Sequence, residues 1–340
     1  MNPNKQLNQA EALLQQGRDR EALAIYEGLC SNQALQGLAW FRKGEIFNRQ
    51  KEVQKAIEAH RKAFECNPAL FASILPANIS HRDYVYTKKN WLESSKCPLC
   101  SEEGQLHSCY NAGASMDFHR EFDPVKIWYE CKSCEHLFAL SRPSNLKAAL
   151  SGTDMASLQK PEPGALPEES KILNEILEFS SGDRLLEIGS GVGEFLAVAQ
   201  ELLLDAEGLE IRSRYAVMVR SLFDLTVHEC DFLEFETEKR FDILVMGDVL
   251  EHFIDPVEAL QKCYSLLNEK GILWLSTPNH QSGWTKIHKD QDPMWRVSEH
   301  LHFFSYKGLR RVLKETGFEV KRYNVSKKYN GSMELILSKK

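Results

Sequence analysis

The residues best suited to chemistry follow short apolar runs in the C-terminal half of the sequence. Gly189, Gly191 and Gly193 come directly after the apolar run 184–188, and residues 194–204 then have the composition of a helix. A strand that leads into a glycine turn and a helix holds a small ligand at the carboxyl edge of a parallel sheet. Glycines there permit the tight turn, the approach of a ligand to bare backbone, and close packing of helix on strand.

The turn favours a ligand with positive charge over a dinucleotide. Its spacing is G-x-G-x-G, not the G-x-G-x-x-G of dinucleotide folds, and Glu194 occupies the first turn of the helix. A carboxylate there would repel a pyrophosphate but is less of an obstacle to a cation. Glu210 ends the next predicted strand, where it can accept hydrogen bonds from ribose hydroxyls. Asp231 and Phe232 follow the third predicted strand. A hydrogen-bond acceptor beside an aromatic ring suits the edge and the face of adenine.

A second group of polar residues follows the fourth predicted strand, at the same edge of the sheet. It contains Asp248, Glu251 and His252. His252 is the candidate general base because the ordinary pKa of histidine is near neutrality, and Glu251 could orient it or bind an acceptor hydroxyl. The alternative is that the Glu-His pair mainly supports the loop. His300 and His302 form a further candidate pair, with substrate or loop contact as the alternative to proton transfer.

The elements that must position these residues alternate along the chain. Strands are predicted at 184–188, 206–209, 225–228, 241–246 and 271–276, with helices between them, notably at 256–267 and from about 306. Two further strands, 318–324 and 332–337, flank the hairpin signal Asn330-Gly331. Alternating strands and helices predict an α/β fold with a doubly wound, mostly parallel sheet.

Six segments of this half resemble class I S-adenosylmethionine-dependent methyltransferases. They read L-L-E-I-G-S-G-V-G at 185–193, G-L-E-I at 208–211, C-D-F at 230–232, F-D-I-L-V-M-G-D-V-L-E-H at 241–252, L-S-T-P-N at 275–279 and H-L-H-F-F-S at 300–305. The resemblance implies a seven-stranded Rossmann-like sheet over a domain at 169–340, with S-adenosylmethionine as methyl donor. The cofactor-binding residues that follow from it are Glu187, Gly189, Ser190, Gly191, Gly193, Glu210, Ile211, Asp231, Phe232, Gly247 and Asp248. The catalytic candidates are His252, Glu251 and His302.

A metal-assisted reaction is an alternative at the same place. Asp248-x-x-Glu251-His252 together with His302 resembles the E-x-x-E-H motif and distal histidine that hold a divalent ion in ubiquinone-pathway O-methyltransferases and small-RNA 2′-O-methyltransferases. Such an ion would activate an acceptor hydroxyl. In this chain the first position of the motif is Asp248, whose side chain is shorter than that of the glutamate in the motif.

Four cysteines in the middle of the chain have the spacing of a metal site. Cys97 and Cys100 form one C-x-x-C pair, and Cys131 and Cys134 form a second about thirty residues later. Four thiolates favour tetrahedral zinc in a closed, structural site. We expect residues 91–145 to form a small, polar zinc ribbon that needs the metal to fold, with His136 at its surface. Such a module resembles that of nucleotide-sugar C-methyltransferases, where it helps to form the substrate pocket.

The first ninety residues resemble tetratricopeptide repeats. Ala22 and Ala56 occupy equivalent positions 34 residues apart, Gly44 and Ala63 are further small residues, and Pro68 ends the second unit. The segment 71–91 could supply a capping helix, and the repeats could dock a peptide or a protein, or only pack on the enzyme. Residues 146–168 are expected to form a linker or a lid over the active site.

The composition is that of a globular protein without a basic or membrane character. Hydrophobic residues make up 43% of the chain and the formal net charge is −6, which makes a nucleic-acid partner improbable. No apolar run suits a membrane span, no signal-peptide core opens the sequence, and a cytoplasmic protein is expected. The leading hypothesis is methylation of a small hydroxylated metabolite, such as a sugar or a natural-product intermediate. The alternatives are a peptide or protein acceptor held by the repeats, and a non-enzymatic scaffold.

Overall fold

The computed structural model describes residues 2–115, 118–151 and 159–340. The centre of the predicted linker, residues 152–158, therefore lies outside the described residues. The helices are α1 (Pro3–Gln15), α2 (Asp19–Leu29), α3 (Gln36–Arg49), α4 (Val53–Cys66), α5 (Leu70–Ile74), α6 (Leu146–Ser151), α7 (Leu166–Leu177), α8 (Glu194–Glu201), α9 (Ser213–Phe223), α10 (Pro256–Leu266), α11 (Gly283–His288) and α12 (Tyr306–Glu315). The strands are β1 (Trp91–Glu93), β2 (Gln105–Asn111), β3 (Val125–Cys131), β4 (His136–Ala139), β5 (Ser141–Pro143), β6 (Arg184–Ile188), β7 (Asp205–Glu210), β8 (Thr226–Glu229), β9 (Phe241–Gly247), β10 (Leu267–Pro278), β11 (His302–Phe303), β12 (Phe318–Val325) and β13 (Ser332–Lys339).

Four helices, α1 to α4, pack against one another in chain order at the N-terminal end. Small residues make the close packing possible: Ala22 and Ala56 are fully buried, and a Cβ at Gly44 would lie 2.7 Å from the ring of His60. The predicted capping helix over 71–91 is wrong, because most of this segment is not helical. Only the five residues of α5 and a short 3₁₀ turn at 80–83 are helical there.

A four-stranded antiparallel sheet in the order β11-β4-β3-β2 carries the cysteine pairs. It is not a small polar ribbon. Phe41 and Phe64 of the helices share one buried cluster with Val125 and Ile127 of β3, so apolar burial supports this sheet. Its edge strand β11 comes from the C-terminal half of the chain. The sheet therefore crosses the predicted boundary between the cysteine module and the domain that follows.

The predicted seven-stranded sheet is confirmed. Its order is β12-β13-β10-β9-β6-β7-β8, with parallel pairing from β10 to β8 and antiparallel pairing of β12 and β13 at the other edge. Both faces are covered by helices, which explains the continuous apolar runs in its central strands. Along β9, Leu244 and Met246 enter one buried cluster while Ile243 and Val245 enter the other. All five predicted parallel strands are present within a few residues of the expected bounds.

Within the described ranges, no helix has the length and apolar character needed to cross a lipid bilayer.

Candidate active site

The turn between β6 and α8 contains three glycines that share a positive φ but differ in their surroundings. Gly189, Gly191 and Gly193 all have positive φ, at 75°, 51° and 81°. A Cβ on Gly189 would lie 2.5 Å from Val249, and one on Gly193 would lie 2.6 Å from Val219. A Cβ on Gly191 would meet nothing within 4 Å. Gly189 and Gly193 therefore serve packing, whereas Gly191 presents bare backbone to open space.

Glu210, the last residue of β7, is fixed beside this turn. Its Oε2 accepts a hydrogen bond from the backbone N–H of Gly191 at 2.9 Å, and its Oε1 accepts one from that of Arg212 at 2.8 Å. Burial raises the pKa of Glu210, while Arg212 and these backbone donors oppose the shift. The carboxylate is thus oriented and still keeps lone pairs for a ligand.

A cavity of about 560 Å³ opens at the carboxyl ends of β6, β7 and β9. This is the expected position for a ligand in an open α/β sheet. Among the residues that the structure describes, four carboxylates line it (Glu210, Asp231, Asp248 and Glu299), against two cations (Lys147 and Arg212). The lining therefore favours a cationic ligand.

Nine of the predicted site residues lie in the wall of this cavity. They are Gly189, Gly191, Glu210, Ile211, Asp231, Phe232, Gly247, Asp248 and His252. Glu187, Ser190 and Gly193 do not line it. Burial raises the pKa of Glu187 well above its usual range, and both the Oε2 of Glu187 and the Oγ of Ser190 are buried without a hydrogen-bond partner. The turn backbone, and not these side chains, faces the ligand space.

Several residues that line the cavity were not predicted individually. Arg212 and Glu299 form an ion pair at 2.8 Å between two distant segments of the chain. Leu146, Lys147 and Leu150 of α6, at the start of the predicted linker or lid, also line the cavity. No local motif marks these positions, because each depends on a contact between segments far apart in sequence.

His252 has the tautomer that a general base needs. Its Nδ1 lies 3.1 Å from the backbone carbonyl of Glu299, which can only accept, so Nδ1 carries the hydrogen and Nε2 keeps its lone pair. Burial lowers the pKa of His252, and the charges of Arg212 and Lys126 lower it further, whereas Glu299 raises it. The imidazole is therefore neutral at neutral pH.

Glu251 and His300 lie behind His252. Glu251 is fully buried, and its Oε2 accepts a hydrogen bond from Thr277 at 2.9 Å. Its Oε1 has no hydrogen-bond partner within the described part of the chain. The Nε2 of His300 is 3.9 Å from that oxygen. One ligand atom from each of Glu251, His252 and His300 falls within 4.8 Å of the others, a spacing that a metal ion could bridge. Neither Glu251 nor His300 lines the cavity.

His302 does not belong to this group. Its Nε2 donates to the carbonyl of Phe253 at 2.7 Å, and its Nδ1 is 3.0 Å from Nε2 of His136. Both ring nitrogens are therefore occupied away from the cavity. The expectation that His136 is a surface residue is wrong, since it is 1% exposed. Asp248, the other expected metal ligand, instead accepts hydrogen bonds from Ser276 and Ser332 at 3.0 and 3.2 Å.

The four predicted metal-ligand cysteines converge. The Sγ of Cys97 is 3.6 Å from that of Cys134, and the Sγ of Cys100 is 3.5 Å from Cys131 and 3.8 Å from Cys134. A tetrahedral zinc ion with bonds of about 2.3 Å sets its sulfur ligands about 3.8 Å apart. The donor set and its dimensions fit zinc.

The long segment 279–298, which follows β10, is largely ordered by packing. It contains α11 and two 3₁₀ turns. Trp295 is buried and stacks on His107 and Tyr110 at ring-centroid distances of 5.7 and 5.6 Å. This tryptophan packs against the four-stranded sheet and does not line the cavity.

The C-terminal half of the chain is similar to a known protein family. Residues 166–323, just under half of the chain, match the sequence model of the methyltransferase domain family. This stretch of the chain is thus similar to that family, and α7, the first helix within the match, begins at Leu166, three residues before the expected boundary.

Curated relatives share this region. The chain is 40% identical over 81 residues to the mitochondrial ubiquinone biosynthesis O-methyltransferase of Saccharomyces cerevisiae, covering 23% of this chain and 26% of that protein. It is 31% identical over 114 residues to the ubiquinone biosynthesis O-methyltransferase of Haemophilus ducreyi, covering 29% of this chain and 46% of that one. The chain therefore spans between a quarter and a half of these relatives. A solved magnesium protoporphyrin IX methyltransferase from Synechocystis is 15% identical, with a TM-score of 0.43 over 52% of this chain and 83% of that chain.

Proposed function

We propose that this protein transfers a methyl group from S-adenosylmethionine to a small hydroxylated metabolite, with His252 as the general base. The observation that carries the proposal is the fixed carboxylate of Glu210 beside the open backbone of Gly191, in a cavity with more carboxylates than cations. A nucleoside can use Glu210 as an acceptor for its ribose hydroxyls. A sulfonium is favoured by the charge of the lining, whereas a pyrophosphate is not.

The bound donor supplies an electrophilic methyl group whose sulfur leaves as a neutral thioether. The protein must then align the acceptor, exclude water and take up one proton. Nε2 of His252 has the free lone pair for that proton, and Nδ1 stays anchored on the Glu299 carbonyl. Glu299, paired with Arg212, is close enough to stabilise the imidazolium that forms.

A metal-assisted version is a second candidate, and the orphaned Oε1 of Glu251 favours it. Glu251, His252 and His300 would hold the divalent ion, with His300 in the place that the sequence assigned to His302. A bound ion of this kind lowers the pKa of a coordinated hydroxyl. Assays with and without a chelator, followed by added Mg²⁺ or Zn²⁺, separate the two versions.

We further propose that Cys97, Cys100, Cys131 and Cys134 hold one structural zinc ion. Four thiolates leave no open coordination position, so the ion would take no part in the methyl transfer. The spacing of the four sulfur atoms supports this assignment.

A peptide or protein acceptor on the helical repeats is less well supported. Phe41 of α3 and Phe64 of α4 are buried against the four-stranded sheet, so this face of the second helix pair is occupied by the chain itself. The repeats thereby act as a support for the sheet, and any docked partner would need their other faces.

The test has two steps. Calorimetry with S-adenosylhomocysteine should give saturable binding, and NADH should give none; the reverse result would overturn the proposal. Incubation with labelled donor and a metabolite extract should then place the label in a small molecule. Label found only in protein would favour the alternative acceptor.

A further inference from the structure

The second cysteine pair, Cys131 and Cys134, packs on a helix of the C-terminal half as well as on its own sheet. A Cβ on Gly308, in the first turn of α12, would lie 2.6 Å from the backbone carbonyl oxygen of Cys134. Gly308 is buried, and glycine is less favourable than alanine within a helix. The close contact explains the glycine, because a larger side chain would push α12 away from the cysteine turn.

The residue that follows each cysteine pair has a backbone conformation that favours glycine. Ser101 has a φ of 63° and Glu135 has a φ of 56°, and neither is a glycine. Each donates its backbone N–H to the carbonyl of the first cysteine of its pair at 2.8 Å, which closes the turn. The left-handed region is unfavourable for such side chains, so contacts from the surroundings must hold this shape.

The segment after β10 and the start of α12 supply contacts of this kind to Glu135. Nε2 of His280 is 3.1 Å from the backbone carbonyl of Glu135, which can only accept, so the imidazole donates this hydrogen bond. Gln281 donates from its Nε2 to the carboxylate of Glu135 at 3.4 Å, and Lys307 forms an ion pair with the same carboxylate. Three side chains of the C-terminal half therefore hold the residue that follows Cys134.

The first cysteine pair contacts the C-terminal half through a different side chain. Leu99 lies between Cys97 and Cys100 and packs against the buried cluster that contains Leu309 and Leu313 of α12. The same leucine also packs against the small cluster formed by the cysteines. Both pairs are therefore anchored on the C-terminal half, one at its core and the other at the first turn of α12.

The charge of a metal-loaded cluster suits this neighbour. A zinc ion with four thiolates carries a net negative charge, and Cys97, Cys131 and Cys134 are buried. The first turn of a helix carries a partial positive charge. It is the first turn of α12 that contacts Cys134, so the helix approaches the cluster with its favourable end.

We propose that the C-terminal half positions the zinc ligands: Gly308 lets the turn at Cys134 and Glu135 pack closely on α12, and His280 holds that turn by a hydrogen bond. Both are positioning residues, because neither supplies a ligand atom. The inference rests on the zinc ion proposed above and adds the residues that fix its ligands. Since the coupling is reciprocal, zinc in turn orders the start of α12 and the segment after β10.

Substitution of Gly308 tests the close packing. Gly308→Ala places a methyl group against the carbonyl of Cys134, so the zinc affinity of the full chain should fall by about tenfold or more, measured by competition with pyridylazoresorcinol. Gly283→Ala, in the first turn of α11, is the matched control, because a Cβ there would meet nothing within 4 Å. An unchanged or higher affinity in G308A would contradict the role of this glycine.

Two substitutions at His280 test the hydrogen bond independently. His280→Ala removes the donor, so the zinc affinity should again fall by about tenfold. His280→Gln places an amide nitrogen near the position of Nε2 and should recover part of the loss. The absorption spectrum of the Co²⁺-loaded protein, which depends on the geometry of the four thiolates, should change in H280A and less in H280Q. Wild-type affinity and spectrum in H280A would contradict the contact.

Hydrogen exchange on the wild type tests the reverse direction of the coupling without any substitution. Removal of zinc by a chelator should speed amide exchange at residues 280–281 and 305–308 as well as at the cysteine turns, with α10 as the internal reference. Faster exchange at the cysteine turns alone, or equally at α10, would contradict a local coupling.

The failure of this inference is distinguishable from the failure of the zinc assignment. A wild-type chain that binds no zinc would overturn the assignment and the inference together. A wild-type chain that binds zinc, with the same affinity in G308A and H280A, would overturn the inference alone.

Discussion

Hydrogen bonds to the backbone fix the orientation of the Glu210 carboxylate and of the His252 imidazole. Gly191 and Arg212 orient the first, and the carbonyl of Glu299 fixes the tautomer of the second. The residue types were evident from the sequence, but the partners that set their orientation were not. Two predictions belong to this scale.

Replacing Glu210 with Gln should weaken S-adenosylhomocysteine binding by about 10- to 100-fold. The amide can no longer accept on both sides, and hydrogen bonds to a charged acceptor contribute about 1.5–3 kcal/mol. Calorimetry measures the loss. Glu207→Gln on the same strand is the matched control, because Glu207 pairs with His228 and Lys239 outside the cavity and should leave the affinity unchanged.

Replacing His252 with Ala should lower turnover by about 10²- to 10⁴-fold with the affinity for the nucleoside retained. In the wild type, the acid limb of kcat/KM should lie below the usual histidine pKa of about 6.5, since burial lowers the pKa of His252 and protonation removes the base. The limb should vanish in the variant. An acid limb above 6.5 would argue against His252 as the titrating base.

At the scale of elements, the four-stranded sheet holds the segment that completes the site. Lys126 of β3 is buried, and its Nζ donates to the carbonyls of Ser298 at 3.0 Å and His300 at 2.5 Å. The edge strand β11 then pairs with β4, with His302 opposite Phe138. The carbonyl that anchors His252 belongs to Glu299, between these contacts. The four-stranded sheet thus fixes the segment that anchors His252, the proposed base, from outside the seven-stranded sheet and its helices.

Lys126→Met should lower turnover and leave nucleoside affinity intact, because it frees the segment 298–300. Burial lowers the pKa of Lys126 to about 7. The unfolded chain therefore binds more protons than the folded one between pH 7 and about 10.5, and stability rises with pH across that window. Chemical denaturation at several pH values should show this rise to be smaller in K126M than in the wild type. Lys132→Met, at an exposed position just after β3, is the control.

At the scale of the whole molecule, the N-terminal helices, the four-stranded sheet and the C-terminal α/β region are joined by buried contacts. Asn48 of α3 accepts a hydrogen bond from the backbone of Cys109 in β2 at 3.0 Å, and Trp128 of β3 donates to the carbonyl of Trp295 at 3.0 Å. The four-stranded sheet is therefore tied both to the N-terminal helices and to the segment that precedes Glu299.

Cys131→Ser should abolish zinc binding, lower the melting temperature and reduce turnover more than nucleoside affinity. Cys131 ends β3 and lies opposite His136, the first residue of β4, so loss of the ion loosens the two strands that hold β11 and Lys126. Elemental analysis should find about one zinc per wild-type chain and none in the variant. Cys66→Ser, outside the cluster, should retain the metal. Full turnover without zinc would refute the coupling.

The sequence by itself determined the parallel sheet, the glycine turn and the four-cysteine cluster, because each depends on local signals: apolar runs, glycine spacing and paired cysteines. It also brought nine site residues to one edge, since the ends of parallel strands necessarily meet there. Only the tertiary structure decided that His300 and not His302 joins Glu251, because the ring nitrogens of His302 are engaged by the carbonyl of Phe253 and by His136, which are both distant in sequence. Likewise, the positions of Lys126 and of the Arg212–Glu299 pair depend on contacts between segments distant in sequence, which no local pattern encodes.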